Sequence, residues 1–281
     1  TRVEKVLEGG GVIRAHEFEN WPDGVIPHTT WPMDAATALL ARGLGPFSEG
    51  PRDLAGAWIS VLLGAATAFF LWFWWGNRPF RLAGGVLFAV SPLLVHGTVL
   101  GRPDHQSLLL AVLAAVLGAE ARLLRQGEGA LSKRQWLLMG GLSATLALWT
   151  SFYEPLVLFV ATLLFSAALA PRRFFCKERG MTLAGVGVAV CGLYLLEGRA
   201  PLPVGHLDPE VIRYFPAWSL TVGELAHVPP LSSVWLGWTL AWLPLTVGLL
   251  FAVGRRDREG WYWLGLLLLL FGLTCWQARW G

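Results

Sequence analysis

Long blocks of apolar residues occupy most of this sequence, and they constrain its fold more than any other feature. A helix needs roughly 20 mainly apolar residues to cross the hydrocarbon core of a bilayer. Blocks near that length lie at residues 55–75, 82–100, 106–124, 135–151, 155–170, 181–197, 232–253 and 260–278. Charged residues make up only 15% of the sequence, against about 25% in typical soluble domains. We therefore predict an all-α polytopic membrane protein with about eight transmembrane helices.

The polar segments between these blocks divide the chain. Residues near 2–8 and 34–43 have helical character within an opening segment that is otherwise broken by Gly and Pro. The predicted organisation is a non-cytoplasmic loop with short helices at 1–53, six transmembrane helices at 54–197, a long outer loop at 198–231 and two transmembrane helices at 232–281.

Lys and Arg are concentrated in alternate loops, which predicts the orientation of the helices. Cytoplasmic loops carry an excess of these residues close to helix ends. Four short loops hold Arg78, Arg81, Arg122, Arg125, Lys133, Arg134, Arg172, Arg173, Lys177, Arg179, Arg255, Arg256 and Arg258. The intervening short loops at 101–105 and 152–154 hold only Arg102. We therefore place the first set in the cytoplasm, and the same distribution argues against nucleic-acid binding.

With this orientation, several carboxylates share the non-cytoplasmic face, namely Asp34, Asp104, Glu154 and Glu224. Ionisable side chains near hydrocarbon are costly, so those that remain usually face a cavity, a partner or an ion. Converging carboxylates suit a hard divalent cation, because Mg²⁺ and Mn²⁺ prefer oxygen ligands. The alternative is that each acid is a solvated loop residue.

The strongest local pattern lies at the start of the third apolar block and consists of Gly101, Arg102, Pro103, Asp104, His105 and Gln106. It puts an acid and an imidazole at the N-terminus of a helix, where the helix dipole favours a carboxylate or a phosphate. A binding site is one interpretation of this pattern. The other is that Asp104 simply caps the helix.

A second pattern lies in the long outer loop and consists of Ser219, Leu220, Thr221, Val222, Gly223 and Glu224, followed by His227. Long loops in compact proteins are often lids or binding segments, or else disordered. Glu224 taken alone carries little information, so its interpretation depends on the first pattern.

In this order and on the same face, the two patterns resemble motifs of the catalytic subunit of oligosaccharyltransferase, a GT-C glycosyltransferase. Gly101, Asp104 and Gln106 fit that family's Gly-x-x-Asp-x-Asp/Glu/His frame, and Asp104 with His105 is similar to its archaeal form. The run 221–224 is similar to the Thr-Ile-x-Glu motif of the family's mobile fifth outer loop. The family's first outer loop is similar to residues 2–5, 22–24 and 31–32.

The resemblance implies a GT-C-like fold and transfer of a sugar or oligosaccharide from a polyprenyl-(pyro)phosphate carrier to an acceptor, with protein asparagine favoured. It implies that Asp104 and Glu224 are catalytic and bind Mg²⁺ or Mn²⁺. The implied partners are a polyprenyl-linked glycan donor, an acceptor protein or peptide, and membrane lipid. The expected location is a bacterial or archaeal plasma membrane, with the active face outside the cytoplasm.

Further residues receive roles from the same resemblance. His105, Gln106 and Arg279 would bind the donor, and the fork-shaped guanidinium of Arg279 suits its phosphate. Arg279 could equally be an interfacial residue whose charge reaches water at the membrane surface. His28, Asp34 and Glu154 are additional candidates, the first two as residues that organise the first loop.

The sequence also departs from the family. The family's first metal-binding Asp would lie before Thr1, and Gln106 stands where an acid or His is usual. We count about two spans fewer than the family has between Asp104 and Glu224. The C-terminal domain with its Trp-Trp-Asp-Tyr-Gly acceptor motif is not in this sequence. We therefore expect this polypeptide by itself to be inactive.

Two other classes of protein compete with this interpretation. Other GT-C transferases, which modify Ser or lipid, use a different first-loop acidic pair and lack the Thr-x-x-Glu motif, so Glu224 argues against them. A non-catalytic transporter or lipid-handling protein would carry polar residues near the middle of its spans. Here the ionisable residues lie mostly at the ends of the spans, which favours chemistry at the membrane face.

Overall fold

The described part of the chain is built from helices. The structure is a computed structural model that describes residues 2–9, 31–75, 105–125, 131–198 and 258–276, together with Ala89, Thr98, Leu100, Gly101, Pro229 and Ser232. The helices are α1 (Arg2–Gly9), α2 (Trp31–Leu44), α3 (Pro51–Trp75), α4 (His105–Leu124), α5 (Lys133–Thr150), α6 (Tyr153–Leu169), α7 (Pro171–Phe174), α8 (Lys177–Glu197) and α9 (Arg258–Trp276), with a 3₁₀ turn at Gly45–Phe47. These residues include no strand.

The predicted all-α membrane fold is confirmed. Six of the apolar blocks lie in α3, α4, α5, α6, α8 and α9, and the two short helices of the opening segment are α1 and α2. Within the described ranges, three stretches are long and apolar enough to cross a membrane, namely Pro51–Phe73, His105–Leu124 and Lys177–Glu197. The blocks at 82–100 and 232–253 lie outside the described residues, apart from single positions. The number of spans and their orientation stay predictions.

Local sequence specifies where two of these helices begin and end. α5 begins with a capping box, in which Ser132 Oγ accepts from the N–H of Gln135 and Gln135 Oε1 accepts from the N–H of Ser132 at 2.8 Å. α8 ends after Glu197 because Gly198 adopts a left-handed conformation with φ of 74°. Glycine takes this conformation without steric cost. Glu197 is therefore the last helical residue.

The chain packs as two compact units. The first unit contains α1, α2, α3, α5 and α8, together with α4 up to Leu123 and α6 up to Val160. The second unit contains the rest of α6, α7 and α9.

In the first unit, one set of helix ends meets at what we name the His105 end. It comprises the starts of α3, α4 and α6 and the ends of α5 and α8. The hydroxyls of Ser60 in α3 and Ser107 in α4 lie 3.1 Å apart. The indole Nε1 of Trp149 in α5 donates to Glu197 in α8 at 2.7 Å. α4, α5, α6 and α8 therefore alternate in direction, whereas α3 runs parallel to α4, because both begin at the His105 end.

The opposite ends of the same helices meet at the Lys133 end. Arg122 in α4 donates to the carbonyl of Phe73 in α3 at 3.3 Å. The ammonium of Lys133 at the start of α5 contacts Cys176 Sγ at 3.2 Å and the carboxylate of Glu178 at 3.4 Å. Hydrogen bonding to Cys176, and then to Glu178, raises the pKa of Lys133.

α4 is the central helix of the first unit. In the most apolar part of α4, 72% of the residues are buried, against 28% for α3 and 22% for α8. Leu108, Leu109 and Val112 pack against α2, α3 and α5, and Val116 packs against α5 and α8. α3 and α8 instead expose large apolar side chains, among them Leu62, Phe69, Met181 and Val188. Such faces suit contact with lipid hydrocarbon.

A buried ion pair joins α4 and α8 near the Lys133 end. The guanidinium of Arg179 donates to the carboxylate of Glu120, and both residues are buried. The guanidinium of Arg122, two residues after Glu120 on α4, lies 6.0 Å from the ring centroid of Trp136 in α5. The distribution of Lys and Arg predicts cytoplasmic loops at Arg122 and Arg179, whereas both residues lie within helices.

In the second unit, the end of α4 is bound by charged side chains. Arg173 of α7 donates to the carbonyls of Leu124 and Arg125 at 3.2 and 3.3 Å. This satisfies carbonyls that a helix end leaves without a helical partner. Arg125 also lies 3.8 Å from the carboxylate of Glu259 at the start of α9.

Gly64 lies at a close approach between α3 and Thr98. A Cβ at this position would come within 2.8 Å of the Thr98 Cβ, so something must shift. We expect Gly64→Ala to lower the free energy of unfolding by about 1–3 kcal/mol, the usual cost of overpacking. Thermal unfolding of the purified protein in detergent measures this change.

The matched control is Gly56→Ala on the same helix, where an added Cβ meets no atom within 4 Å. Because Ala is the better helix former, we expect Gly56→Ala to be neutral or stabilising by up to about 1 kcal/mol. Equal unfolding temperatures for the two variants would contradict the close approach at Gly64.

Candidate functional site

The structure describes four of the eight residues that the sequence analysis nominated. His105, Gln106, Asp34 and Glu154 belong to α4, α2 and α6, and all of them lie in the first unit. The other candidates fall outside the described residues, and they are Asp104, Glu224, Arg279 and His28.

Gly101 shows why the first pattern begins with glycine. Its φ is 82°, which lies in the left-handed region that L side chains rarely adopt. Its N–H donates to the carbonyl of Ala57 in the second turn of α3 at 2.9 Å. The turn is therefore attached to α3 three residues before Asp104 in the sequence.

His105 and Gln106 form the first turn of α4. Gln106 is exposed and His105 is half-buried, and Gln106 Nε2 lies 3.4 Å from His105 Nε2. The next residue, Ser107, is buried and in hydrogen-bond contact with Ser60 of α3. This contact fixes the start of α4, so the two polar side chains before it are presented at a rigid helix N-terminus. Such a position favours an anionic group.

Asp34 belongs to the first turn of α2, and the α2 helix packs against α3 and α5. Met33, its neighbour, is buried with Ile59 of α3 and Leu108 of α4. Asp34 is half-buried, and its Oδ2 atom is inaccessible to solvent. It is therefore not the solvated loop acid of the alternative interpretation.

Glu154 has a local partner at the start of α6. Ser151 Oγ donates to Glu154 Oε2 at 2.9 Å, across the break between α5 and α6. A carboxylate in the first turn of a helix also interacts favourably with the helix dipole. These contacts give Glu154 a structural role at the start of α6. The sequence alone assigns no role to this residue.

Three residues that the sequence analysis did not nominate form the best-defined polar arrangement at the His105 end. The rings of Trp31 in α2 and Trp149 in α5 stack, with centroids 4.9 Å apart and an interplanar angle of 28°. The Trp149 indole donates to Glu197, whose residue exposure is only 3%. The one signal in the sequence is that Glu197 is an acid at the end of an apolar block, at the end that the loop charges predict to be non-cytoplasmic. We name this arrangement the Trp31–Trp149–Glu197 contact.

The described residues alone do not form a metal site. Among them, no three His, Cys, Asp or Glu side chains lie close enough to hold one ion together. The predicted ligands Asp104 and Glu224 both lie outside this part of the chain. Their carboxylate oxygens are the donors that Mg²⁺ and Mn²⁺ prefer.

Solved structures of one archaeal enzyme are similar in fold to this chain. One is the oligosaccharyltransferase of Archaeoglobus fulgidus tethered through a disulfide bond to an acceptor peptide with the NVT sequon, at a TM-score of 0.62. A second structure is of the same enzyme with Zn and sulfate, at a TM-score of 0.57. Each match covers 99% of this chain at 15% identity. The chain has the fold of an oligosaccharyltransferase.

The likeness to oligosaccharyltransferase concerns part of that enzyme. This chain spans 42% of the length of the archaeal protein. No family model matches the sequence, and no curated protein matches it. The structural matches confirm the resemblance to oligosaccharyltransferase at the level of the fold. The roles of individual residues stay predictions.

Proposed function

We propose that this chain is the transmembrane part of a glycosyltransferase that moves a sugar or oligosaccharide from a polyprenyl-(pyro)phosphate carrier to asparagine of an acceptor protein. The acceptor side of the reaction faces away from the cytoplasm. The observation that carries the proposal is the oligosaccharyltransferase fold over 99% of the chain. The relative with this fold was solved with an acceptor peptide.

The His105 end is the place we assign to the donor phosphate. His105 and Gln106 occupy the first turn of α4, where N–H groups and the helix dipole attract anions. The hydrogen bond of Gly101 to Ala57 attaches the preceding turn to α3. Asp104 would follow that turn, and Arg279 would add a charge-assisted hydrogen bond to the phosphate.

We assign Mg²⁺ or Mn²⁺ to Asp104 and Glu224. When bound, the cation would act as a Lewis acid that neutralises the leaving lipid phosphate. Glu224 would also accept a hydrogen bond from the acceptor amide, and so orient its nitrogen. Asp34, in the first turn of α2, is a further carboxylate at the same end of the unit.

The proposal is tested by an assay of the full-length protein in membranes. A polyprenyl-linked sugar donor and a peptide with Asn-x-Thr are supplied, and glycopeptide is measured by mass spectrometry. We expect transfer with added Mn²⁺ and its loss, by about 100-fold or more, after chelation with EDTA, because a Lewis acid contributes several kcal/mol at the transition state.

The matched control peptide carries Gln-x-Thr in place of Asn-x-Thr, and it should receive no glycan. Transfer to Ser or to lipid instead of asparagine would keep the glycosyltransferase and refute the proposed acceptor. Folded full-length protein that transfers to none of these acceptors with Mg²⁺ or Mn²⁺ present would refute the enzyme proposal.

A further inference from the structure

We infer that Glu197 is a positioning residue, which holds α2 and its Asp34 against the His105 end through Trp149 and Trp31. The seating of α2 is a structural inference that stands by itself. Its consequence for activity rests on the proposed function. Glu197 has no role in the sequence patterns discussed above, and it lies at the far end of α8 from the Lys133 contacts.

The contacts form a continuous path between three helices. Glu197 Oε1 accepts from the Trp149 indole at 2.7 Å, which is short for an N–H to oxygen hydrogen bond. The Trp149 ring then stacks on Trp31 at a centroid distance of 4.9 Å. Trp31 is the first residue of α2, and Asp34 follows within the same first turn.

The location of Glu197 is unfavourable unless it makes such a contact. The C-terminus of a helix carries partial negative charge, which repels a carboxylate. A buried polar group is also costly unless it is hydrogen-bonded. Both considerations apply to Glu197, since it ends α8 and is 3% exposed. The hydrogen bond to Trp149 offsets these penalties, and it orients the indole plane on which Trp31 stacks.

A second contact keeps Trp149 itself in place. Tyr194, one turn before Glu197 on α8, donates its hydroxyl to the carbonyl of Leu148 at 2.5 Å. The Tyr194 ring also lies 6.1 Å from the ring of Phe152. The end of α5 is therefore held by α8 on both sides of the Trp149 backbone. The end of α8 is thereby connected through α5 to Trp31, the first residue of α2.

The seating of α2 can be measured without any glycosyl transfer. Ala38 on α2 is 3% exposed and its neighbour Leu39 is 71% exposed. In full-length protein with the native cysteines replaced by Ala, Ala38→Cys reports the buried face of α2 and Leu39→Cys reports its exposed face. The rate of maleimide labelling in detergent measures how often each face is open to solvent.

Glu197→Leu should increase the labelling rate of Ala38→Cys by about tenfold or more, because the buried hydrogen bond is lost. Trp149→Phe keeps an aromatic ring but removes the donor, and it should act in the same direction. Leu39→Cys should label at an unchanged rate in every variant. An unchanged Ala38→Cys rate in both Glu197→Leu and Trp149→Phe would refute the positioning role.

Glu197→Gln separates positioning from chemistry. Gln retains an oxygen that accepts from the indole but carries no charge, so α2 should stay seated and transfer should stay within about threefold of wild type. Glu49→Leu makes the same replacement as Glu197→Leu, but at an exposed carboxylate between α2 and α3, so it is the matched control for removal of the charge. Loss of transfer in Glu197→Gln with Ala38→Cys still protected would show a chemical role and overturn the inference. Failure of wild-type protein to transfer glycan would refute only the proposed function, since labelling does not depend on it.

Discussion

Asp104→Asn in the full-length protein is expected to reduce glycosyl transfer by about 100- to 1,000-fold. A metal that neutralises a leaving phosphate contributes several kcal/mol to transition-state stabilisation, and each 1.4 kcal/mol is a factor of ten in rate. Asn keeps the size of Asp and one carbonyl oxygen but removes the negative charge that binds the cation. The rate of glycopeptide formation at saturating donor and acceptor is the measurement.

Metal titration distinguishes loss of the cation from loss of the fold. Asp104→Asn should need a higher Mn²⁺ concentration for half-maximal rate, and its unfolding temperature should match that of wild type. Asp53→Asn removes an exposed carboxylate from the first turn of α3 and serves as the matched control, with an unchanged rate. An Asp104→Asn variant that transfers glycan at the wild-type rate would exclude Asp104 from the catalytic centre.

Arg179→Met should be the most destabilising single change among the described residues. It leaves the carboxylate of Glu120 buried without its guanidinium partner, and breaking a buried pair in this way costs about 3–5 kcal/mol. The free energy of unfolding, measured by denaturant titration in mixed micelles, reports the cost. The double variant Arg179→Met with Glu120→Leu should recover most of it, because no buried charge is left.

The exposed pair of Arg52 and Glu4 gives the matched control. Their side chains are 49% and 39% exposed and the two groups lie 2.8 Å apart. Exposed ion pairs contribute about 0–1 kcal/mol, so Arg52→Met should barely change the free energy of unfolding. If Arg179→Met cost no more than Arg52→Met, burial of the Glu120 pair would not matter to stability.

The helices were predictable because their cause is local in the sequence. α3 follows from a block of apolar residues long enough to span a bilayer, and α8 ends where Gly198 follows Glu197. The capping box of α5 is likewise a pattern within a few residues, Ser132 with Gln135. These features depend on hydrophobicity and backbone conformation, which act at each position regardless of what the rest of the chain does.

The site was predictable only in part. The glycine that opens the first pattern proved to have a positive φ, as a turn before a helix can require. His105 and Gln106 begin α4 as the pattern predicted. Glu154 accepts a hydrogen bond from Ser151, a contact that the sequence did not indicate, and its nomination as a site residue stays a prediction. These observations do not test the predicted roles of Asp104 and Glu224. The kinetic experiments test those roles.

By itself, the sequence determined that this is an all-α membrane protein and where the described helices lie. The length of its apolar blocks carries that information. Only the tertiary structure decided that Glu120 meets Arg179, and that Glu197 reaches Trp31 through Trp149. Glu197 is 48 residues from Trp149, and Glu120 is 59 from Arg179. Such pairs depend on how the helices are rotated and packed, and no periodicity within one helix specifies which side chain of another it will face.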